Sequence, residues 1–192
     1  FNAFEEFLKE YPEYHKHVTD LQIACPCRMD IPAYKNLYDL IDSKVELINQ
    51  EFSQDNWQPI NCTNETVEHG ALMKIYRQSD ICWVNSLRDG MNLVAVEFVA
   101  AHNRDNAGVL ILSKYTGAAE QMSEAIIVDP ENCGDMIKGL KKALTMSRSE
   151  RIERYKHLMQ GLKRFDINDW RNAFLKDLRR VELFNIFKPS MR

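Results

Sequence analysis

The chain has few glycines, no long apolar run and no surplus of positive charge, and each absence excludes a class of protein. Only seven glycines occur among 192 residues. They form neither the G-x-G-x-x-G pattern of a dinucleotide-binding turn nor the G-x-x-x-x-G-K-[ST] pattern of a P-loop. No apolar run approaches the roughly 18 residues of a transmembrane helix, and the acidic, amphipathic N-terminus is not a signal peptide.

The formal net charge of −3 leaves no basic surplus to hold a nucleic acid or an anionic membrane. Any phosphate that the chain binds must therefore be held by local geometry. The five cysteines are odd in number and scattered, which favours a reducing, cytoplasmic location over a disulfide framework. No C-x-x-C or D-x-D element occurs, so we predict no metal site.

Short apolar segments alternate with helical segments along most of the chain. The predicted strands are short and apolar throughout, at 18–25, 59–62, 81–84, 109–112 and 126–128. Strands of this kind, separated by helices, indicate a parallel sheet covered on both faces. The sequence therefore predicts a doubly wound, Rossmann-like α/β domain over residues 1–165, followed by a helix and tail at 166–192. In such folds ligands bind beyond the carboxyl ends of the strands.

The loop after the strand at 81–84 carries the strongest indication of a ligand site. It reads Leu87-Arg88-Asp89-Gly90-Met91-Asn92-Leu93-Val94 and runs into a helix predicted at 92–101. Gly90 stands where the chain turns from strand to helix, and glycine permits a positive φ and a close approach of the backbone to a ligand. The amides of residues 91–94 are the unsatisfied donors of a helix N-terminus, which suits a phosphate.

Two carboxylates flank this helix start. Glu97 lies roughly 6–8 Å further along the helix axis, where a ribose joined to the phosphate would present its hydroxyls. Asp89 precedes the glycine and is placed to accept from a sugar on the other side of a diphosphate. The pattern fits a nucleotide sugar. An ordinary strand-to-helix turn, with Asn92 as N-cap and a solvated Glu97, remains the alternative, although a carboxylate among apolar neighbours needs a partner.

Together with other stretches in the same order, this loop resembles the trehalose-6-phosphate synthase family. The matching stretches are Gln22-Ile23-Ala24 with Arg28-Met29-Asp30-Ile31, Ile48-Asn49, Trp57-Gln58-Pro59-Ile60, Gly117-Ala118-Ala119, Ile126-Ile127-Val128 and Ala143-Leu144-Thr145-Met146. The similarity runs over about residues 1–178. The chain departs from the usual family residues at Cys27, Met29, Glu46 and Val96, which indicates a divergent member.

The resemblance implies the C-terminal half of a two-Rossmann-domain (GT-B type) retaining glucosyltransferase. Such an enzyme transfers glucose from UDP-glucose to glucose-6-phosphate, giving trehalose-6-phosphate and UDP. We expect no metal or other cofactor, because the chain has no D-x-D element and the helix start can hold the diphosphate. The implied site residues are catalytic Asp89 at the donor glucose, Gly90, Met91 and Asn92 along the hexose and diphosphate, Leu93 and Val94 at the phosphate, Glu97 at the ribose, and Arg28 at the acceptor phosphate. The alternative for Arg28 is a surface ion pair with Asp30.

By the same resemblance, an N-terminal Rossmann domain and an R-x-x-x-x-K segment would precede Phe1. We therefore expect a piece of a longer protein that does not turn over by itself, with its last helix packed toward that N-terminal domain. A second copy or the subunits of a trehalose complex are the other expected partners.

Two alternatives to an active synthase follow from the resemblance. A non-catalytic regulatory subunit or a phosphatase-fused domain is the first, and the retention of Asp89, Asn92 and Glu97 favours activity over it. Glycogen synthase or another transferase of the same fold is the second. Such a protein would share the phosphate-binding helix start but not the R-D-G-M-N-L-V string.

Overall fold

A computed structural model describes residues 1–164 and 166–186, with side chains described up to residue 180. The predicted domain boundary at 165 and the tail at 187–192 lie outside the described residues. The helices are α1 Asn2–Glu10, α2 Pro32–Phe52, α3 His69–Gln78, α4 Leu93–Ala101, α5 Cys133–Thr145, α6 Arg148–Arg164 and α7 Ile167–Ile186. The strands are β1 Asp20–Ile23, β2 Ile60–Thr63, β3 Ile81–Val84, β4 Val109–Ser113 and β5 Ile126–Val128.

All pairings between these strands are parallel, as predicted. β1 pairs with β2, with Asp20 opposite Ile60. In a second ladder β3 pairs with β4, and β4 with β5. The alternation of strands and helices confirms the Rossmann-like fold, but the described strands form a two-stranded and a three-stranded ladder and not one continuous sheet.

The first strand is shorter than the predicted 18–25 because the residues before it have other partners. The amide of Val18 donates to the carbonyl of Tyr14, and the indole N–H of Trp57 donates to the carbonyl of Val18 at 2.9 Å. These bonds hold the chain in a turn until Asp20, where pairing with β2 begins. The Trp57 stretch singled out in the sequence therefore anchors the entry to β1.

The strand β4 is buried along its whole length and separates two apolar layers. Val109 and Ile111 pack in the layer that α1, α2 and α5 cover. Leu110 and Leu112 pack on the other side, with α4 and α6. Since successive side chains of a strand point to opposite faces, a strand covered on both faces must be apolar at every position, as this one is until Ser113.

The buried side chain of Asn49 ties α2 to the start of β2. Its amide nitrogen donates to the carbonyl of Ile60 at 2.9 Å, and its oxygen accepts from the Ile60 amide at 3.0 Å. An unpaired buried amide would be costly, so both halves of this polar group are satisfied by one backbone residue. The Ile48-Asn49 element of the sequence is thus a structural clamp, with Ile48 buried beside it.

Candidate active site

The loop between β3 and α4 turns sharply at Asn92, which is the N-cap of the helix. Its side-chain oxygen accepts from the amide of Ala95 at 2.9 Å, and its backbone has a φ of 73°. The expectation that Gly90 would supply the positive φ is wrong, because no described glycine has one. Asparagine is among the residues that tolerate this conformation best, since its short amide can bond locally.

Gly90 adjoins open space. A methyl group placed at Gly90 would meet no atom within 4 Å, so this side of the loop is open. Close approach of a ligand to the backbone, the second reason given for a glycine here, remains compatible with the structure.

Asp89 is held in place by the residues that follow it. One carboxylate oxygen accepts from the Met91 amide at 3.0 Å, and the other accepts from the side-chain amide of Asn92 at 3.0 Å. The first of these bonds, with the second in support, lowers the pKa of the Asp89 carboxyl from its ordinary value. Asp89 is therefore an ionised acceptor with a fixed orientation, and each oxygen retains capacity for a further hydroxyl donor.

The first turn of α4 presents two amides without a described acceptor, those of Leu93 and Val94. The expectation that the Met91 amide would also be free is wrong, since Asp89 accepts from it. The helix N-terminus adds a partial positive charge of about half a unit at this point. Two free amides in such a field can hold one phosphate group.

Glu97 lies one turn further along α4 and is half-buried. Within residues 1–164 and 166–180, its carboxylate accepts no hydrogen bond and forms no ion pair. The neighbouring Phe98 and Val99 are buried in the layer beneath. The partner that the sequence led us to expect for Glu97 is therefore not a described residue, which leaves its oxygens available to a ligand.

Residues 113–117, at and after the end of β4, form a strap that braces the loop before α4. The sequence did not predict this contact. The Ser113 hydroxyl donates to the carbonyl of Ser86 at 2.7 Å, and the Gly117 amide donates to the carbonyl of Asp89 at 2.9 Å. A methyl group on Gly117 would lie 2.1 Å from the carbonyl oxygen of Gly90, so only glycine fits. The available signal was that the apolar strand β4 ends in the polar residue Ser113, with Thr116 three residues later.

Arg28 lies in the loop after β1, at an exposed position. Its guanidinium contacts Tyr34, with 3.4 Å from nitrogen to the phenol oxygen and 5.7 Å from the guanidinium carbon to the ring centre. The structure does not pair Arg28 with Asp30 within the described residues. Its φ of 51° is an unusual conformation for a residue with a side chain. Tyr34, which orients this cation, was missed by the sequence analysis.

Two hollows in the described part of the chain are not lined by residues 87–94 of the loop before α4. The larger, of about 600 Å³, runs along α2 and is lined by residues such as Asp42, Glu46 and Gln58. The smaller, of about 270 Å³, is lined by residues of α1, β1 and β3 and their ends, such as Phe1, Gln22 and Asn85. The loop faces outward instead, with Leu87, Met91 and Leu93 each more than half exposed. Apolar side chains in such positions suit a surface that another body covers.

Among the described residues there is neither a metal-binding cluster nor a membrane-spanning helix. No group of three or more His, Cys, Asp or Glu side chains in residues 1–164 and 166–180 is arranged to hold a metal ion. In the same part of the chain, no helix combines the length and apolar character needed to cross a bilayer.

Comparison with known proteins decides the family. The family model described as glycosyltransferase family 20 matches residues 1–180. The chain belongs to glycosyltransferase family 20. A trehalose-6-phosphate synthase of Cronobacter sakazakii is 40% identical over 181 residues, and one of Escherichia coli K12 is 39% identical. The resemblance read from the loop motif is confirmed.

Solved structures of the family share the fold of this chain. An Escherichia coli protein bound with UDP-2-fluoro glucose matches 92% of the chain with a TM-score of 0.89 and 40% identity. A Burkholderia xenovorans trehalose-phosphate synthase in complex with glucose-6-phosphate matches with a TM-score of 0.89 and 36% identity. In both cases the match covers 39% of the relative, and the chain spans 38% of the Cronobacter sakazakii synthase.

Proposed function

We propose that this chain is the nucleotide-sugar-binding part of a retaining glucosyltransferase. The whole enzyme transfers glucose from UDP-glucose to glucose-6-phosphate and releases UDP and trehalose-6-phosphate. The observation that carries the proposal is the start of α4, where two free amides stand between the fixed carboxylate of Asp89 and the unpaired carboxylate of Glu97. The family relatives bound with a UDP-glucose analogue and with glucose-6-phosphate support it.

Each group on α4 has a chemical task in this proposal. The amides of Leu93 and Val94 bind the diphosphate, and Glu97 accepts from the ribose hydroxyls. As the bond from glucose to the diphosphate breaks, negative charge grows on the leaving phosphate. Amides fixed before the reaction stabilise that charge without having to reorient. No metal ion is part of the proposal, because the helix start supplies the positive potential.

On the sugar side, Asp89 accepts hydroxyls of the donor glucose and fixes the position of the reacting carbon. Gly90, Met91 and Asn92 line the hexose and diphosphate. The open space beside Gly90 supports this arrangement. The outward-facing loop also supports a cleft whose second wall comes from a further Rossmann domain. Arg28 binds the phosphate of the acceptor from its separate loop.

The test is turnover by the full-length protein that contains this chain. We expect UDP release that requires glucose-6-phosphate, with trehalose-6-phosphate as the product. Asp89→Ala should lower kcat, while Asp105→Ala, a change at an exposed loop carboxylate away from the site, should not. Binding of UDP-glucose without any turnover would support the non-catalytic regulatory alternative. Cytoplasmic location, and association with a second copy or with other subunits, stay predictions.

A further inference from the structure

Two cysteines separated by one proline lie in the loop that follows β1. Cys25 and Cys27 are both exposed, and Pro26 stands between them. The Cα atoms of residues two positions apart are at most about 7 Å from each other, and disulfides join Cα atoms that are roughly 4.4–6.8 Å apart. A residue before proline favours an extended backbone, in which side chains two positions apart point to the same side. The two sulfurs can therefore meet with little movement of the backbone.

The other three cysteines lack this combination of exposure and proximity. Of the five cysteines, all within the described residues, only Cys25 and Cys27 are exposed. Burial raises the pKa of the Cys82 thiol to about 12, and burial is also the main cause of the raised pKa of Cys62. Because the thiolate is the form that attacks another sulfur, these two thiols react slowly near neutral pH.

The pair at the end of β1 does not make a zinc site with the rest of the described chain. Structural zinc in proteins takes four ligands, and catalytic zinc takes three from the protein. Within residues 1–164 and 166–180, no group of three or more His, Cys, Asp or Glu side chains is arranged to hold a metal ion. Chemistry between the two sulfurs themselves is therefore the use that the arrangement favours.

The Cys25 thiol ties this loop to the end of the neighbouring strand. It donates to the carbonyl of Glu65, in the loop after β2, at 3.2 Å. Just before it, the amide of Ala24 donates to the carbonyl of Thr63 at 2.9 Å, which continues the pairing of β1 with β2. A thiol is a weak donor, and only while it carries its proton. A disulfide sulfur carries none, so oxidation of Cys25 removes the bond to Glu65.

The conformation of Arg28 depends on the peptide that joins it to Cys27. Arg28 has a φ of 51°, which is strained for a residue with a Cβ. Its carbonyl accepts from the Ile31 amide at 2.9 Å, and its guanidinium contacts Tyr34 in the first turn of α2. A displacement of Cys27 toward Cys25 rotates the peptide before Arg28, so the guanidinium moves with it.

We propose that Cys25 and Cys27 form a reversible disulfide that controls the position of Arg28. The oxidant is a small disulfide of the glutathione type. The thiolate of one cysteine attacks it and releases one glutathione. The thiolate of the other then attacks the protein sulfur of the mixed disulfide and releases the second. The dithiol loses two electrons and two protons, and glutathione disulfide takes them up to give two molecules of glutathione.

The consequence for activity rests on the proposed function, in which Arg28 binds the phosphate of the acceptor. The reduced loop, held by the bond from Cys25 to Glu65, keeps the guanidinium beside Tyr34. The oxidised loop loses that bond and draws Cys27 away, so acceptor binding weakens. The donor groups on α4 belong to a different loop and keep their geometry. Such a pair stays reduced in a reducing compartment and closes when oxidant rises.

The first test is thiol labelling of the full-length protein that contains this chain, after denaturation, read by mass spectrometry of its peptides. In excess glutathione disulfide, the peptide holding Cys25 and Cys27 should escape alkylation and lose the mass of two hydrogen atoms. Dithiothreitol should restore both labels. Cys62 and Cys82 should stay fully labelled and serve as internal controls. A peptide that stays labelled, that retains glutathione, or that is joined to a second chain would overturn the proposal.

The second test compares the kinetics of the reduced and oxidised protein. Oxidation should raise the KM for glucose-6-phosphate by about tenfold or more, the effect of losing a hydrogen bond to a charged group. The KM for UDP-glucose should stay within about twofold, since that loop is unchanged. An unaltered KM for glucose-6-phosphate in a protein whose disulfide has formed would overturn the control of Arg28.

Two variants assign the kinetic effect to this pair. The double variant Cys25→Ser with Cys27→Ser should have the same KM in both buffers, because serine keeps a donor to Glu65 and forms no disulfide. Cys133→Ser, which removes a partly buried thiol from α5, should keep the shift. A shift that persists in the double variant would overturn the proposal. A reduced protein that releases no UDP contradicts the proposed function instead, and the labelling result then decides on the disulfide by itself.

Discussion

At the scale of single residues, Glu97 offers the most direct test of nucleotide binding. Its carboxylate has no described partner, so Glu97→Gln should leave the fold nearly unchanged. If the carboxylate accepts from ribose, the change should weaken UDP binding to the full-length protein by about 1.5–3 kcal/mol, the range for hydrogen bonds to charged groups. Isothermal titration calorimetry would measure this as a rise in Kd of roughly ten- to 150-fold.

The matched control for Glu97 is Glu153→Gln, the same chemical change at an exposed position on α6. It should leave the Kd for UDP unaltered. If both variants bind UDP as the unmodified protein does, Glu97 is a structural residue and the ribose assignment is wrong.

A change at Arg28 should distinguish binding of the acceptor from binding of the donor. Because it lies in the loop after β1, and not in the loop before α4, Arg28→Ala should raise the KM for glucose-6-phosphate and leave UDP-glucose affinity nearly unchanged. Lysine keeps the charge but loses the planar, two-pronged donor and the contact with Tyr34, so Arg28→Lys should restore the KM only in part. Steady-state kinetics with each substrate varied in turn would measure both effects.

The control for Arg28 is Arg104→Ala, which removes an exposed arginine from the loop after α4. An equal loss of affinity for both substrates in Arg28→Ala would contradict the phosphate assignment. So would unfolding of the variant, which would make Arg28 a structural residue.

At the scale of elements, the start of α4 depends on Asn92 for two separate reasons. Asn92 caps the helix, and it adopts a φ of 73°. Asn92→Ala should lose the cap, at about 1 kcal/mol, and add strain of about 1–2 kcal/mol from its Cβ. Asn92→Gly should lose the cap without that strain. Urea denaturation should therefore rank the alanine variant below the glycine variant, and equal stabilities would show that the backbone relaxes at this position.

The strap from β4 is the second element on which the loop depends. Gly117→Ala places a methyl group 2.1 Å from the Gly90 carbonyl oxygen, so the strap or the loop must move. We expect a loss of about 1–3 kcal/mol in the free energy of unfolding, typical of overpacking, with weaker UDP-glucose binding because Asp89 moves too. Gly134→Ala is the control, since its methyl group would meet its nearest neighbour at an ordinary 3.5 Å. If Gly117→Ala has the same free energy of unfolding and the same UDP-glucose affinity as the unmodified protein, the strap is not rigid.

At the scale of the whole molecule, α7 carries an apolar face with nothing described to cover it. Trp170 is 55% exposed and stacks on Phe174, whose ring centre is 5.5 Å away. We expect this face to pack against a further domain of the full-length protein. Trp170→Ala should then cost on the order of 3 kcal/mol of stability there, as for a buried aromatic residue.

The neighbouring change Arg171→Ala serves as the control for α7, because Arg171 is exposed. It should stay within about 0.5 kcal/mol, as surface substitutions do. Thermal or urea unfolding of the full-length protein would compare the two. If Trp170→Ala lowers the stability no more than Arg171→Ala does, α7 does not dock through this face.

Local patterns in the sequence predicted much of the fold. The strand β3 falls at the predicted residues, and β5 does too, because each is a short apolar run followed directly by a polar residue. The start of α4 was misplaced by only one residue, since Asn92 is a capping residue at the point where the apolar helix begins. The loop motif between them was specific enough to indicate the family.

The sequence by itself determined which elements form and which loop carries Asp89 and Glu97, because capping, turn chemistry and apolar periodicity act within a few residues. Only the tertiary structure decided that Ser113 and Gly117 brace that loop, that Tyr34 orients Arg28, and that β3 pairs with β4 and β4 with β5. The bond from Ser113 to Ser86 joins positions 27 residues apart. Contacts of this kind depend on how strands are ordered in space, and no local pattern encodes that order.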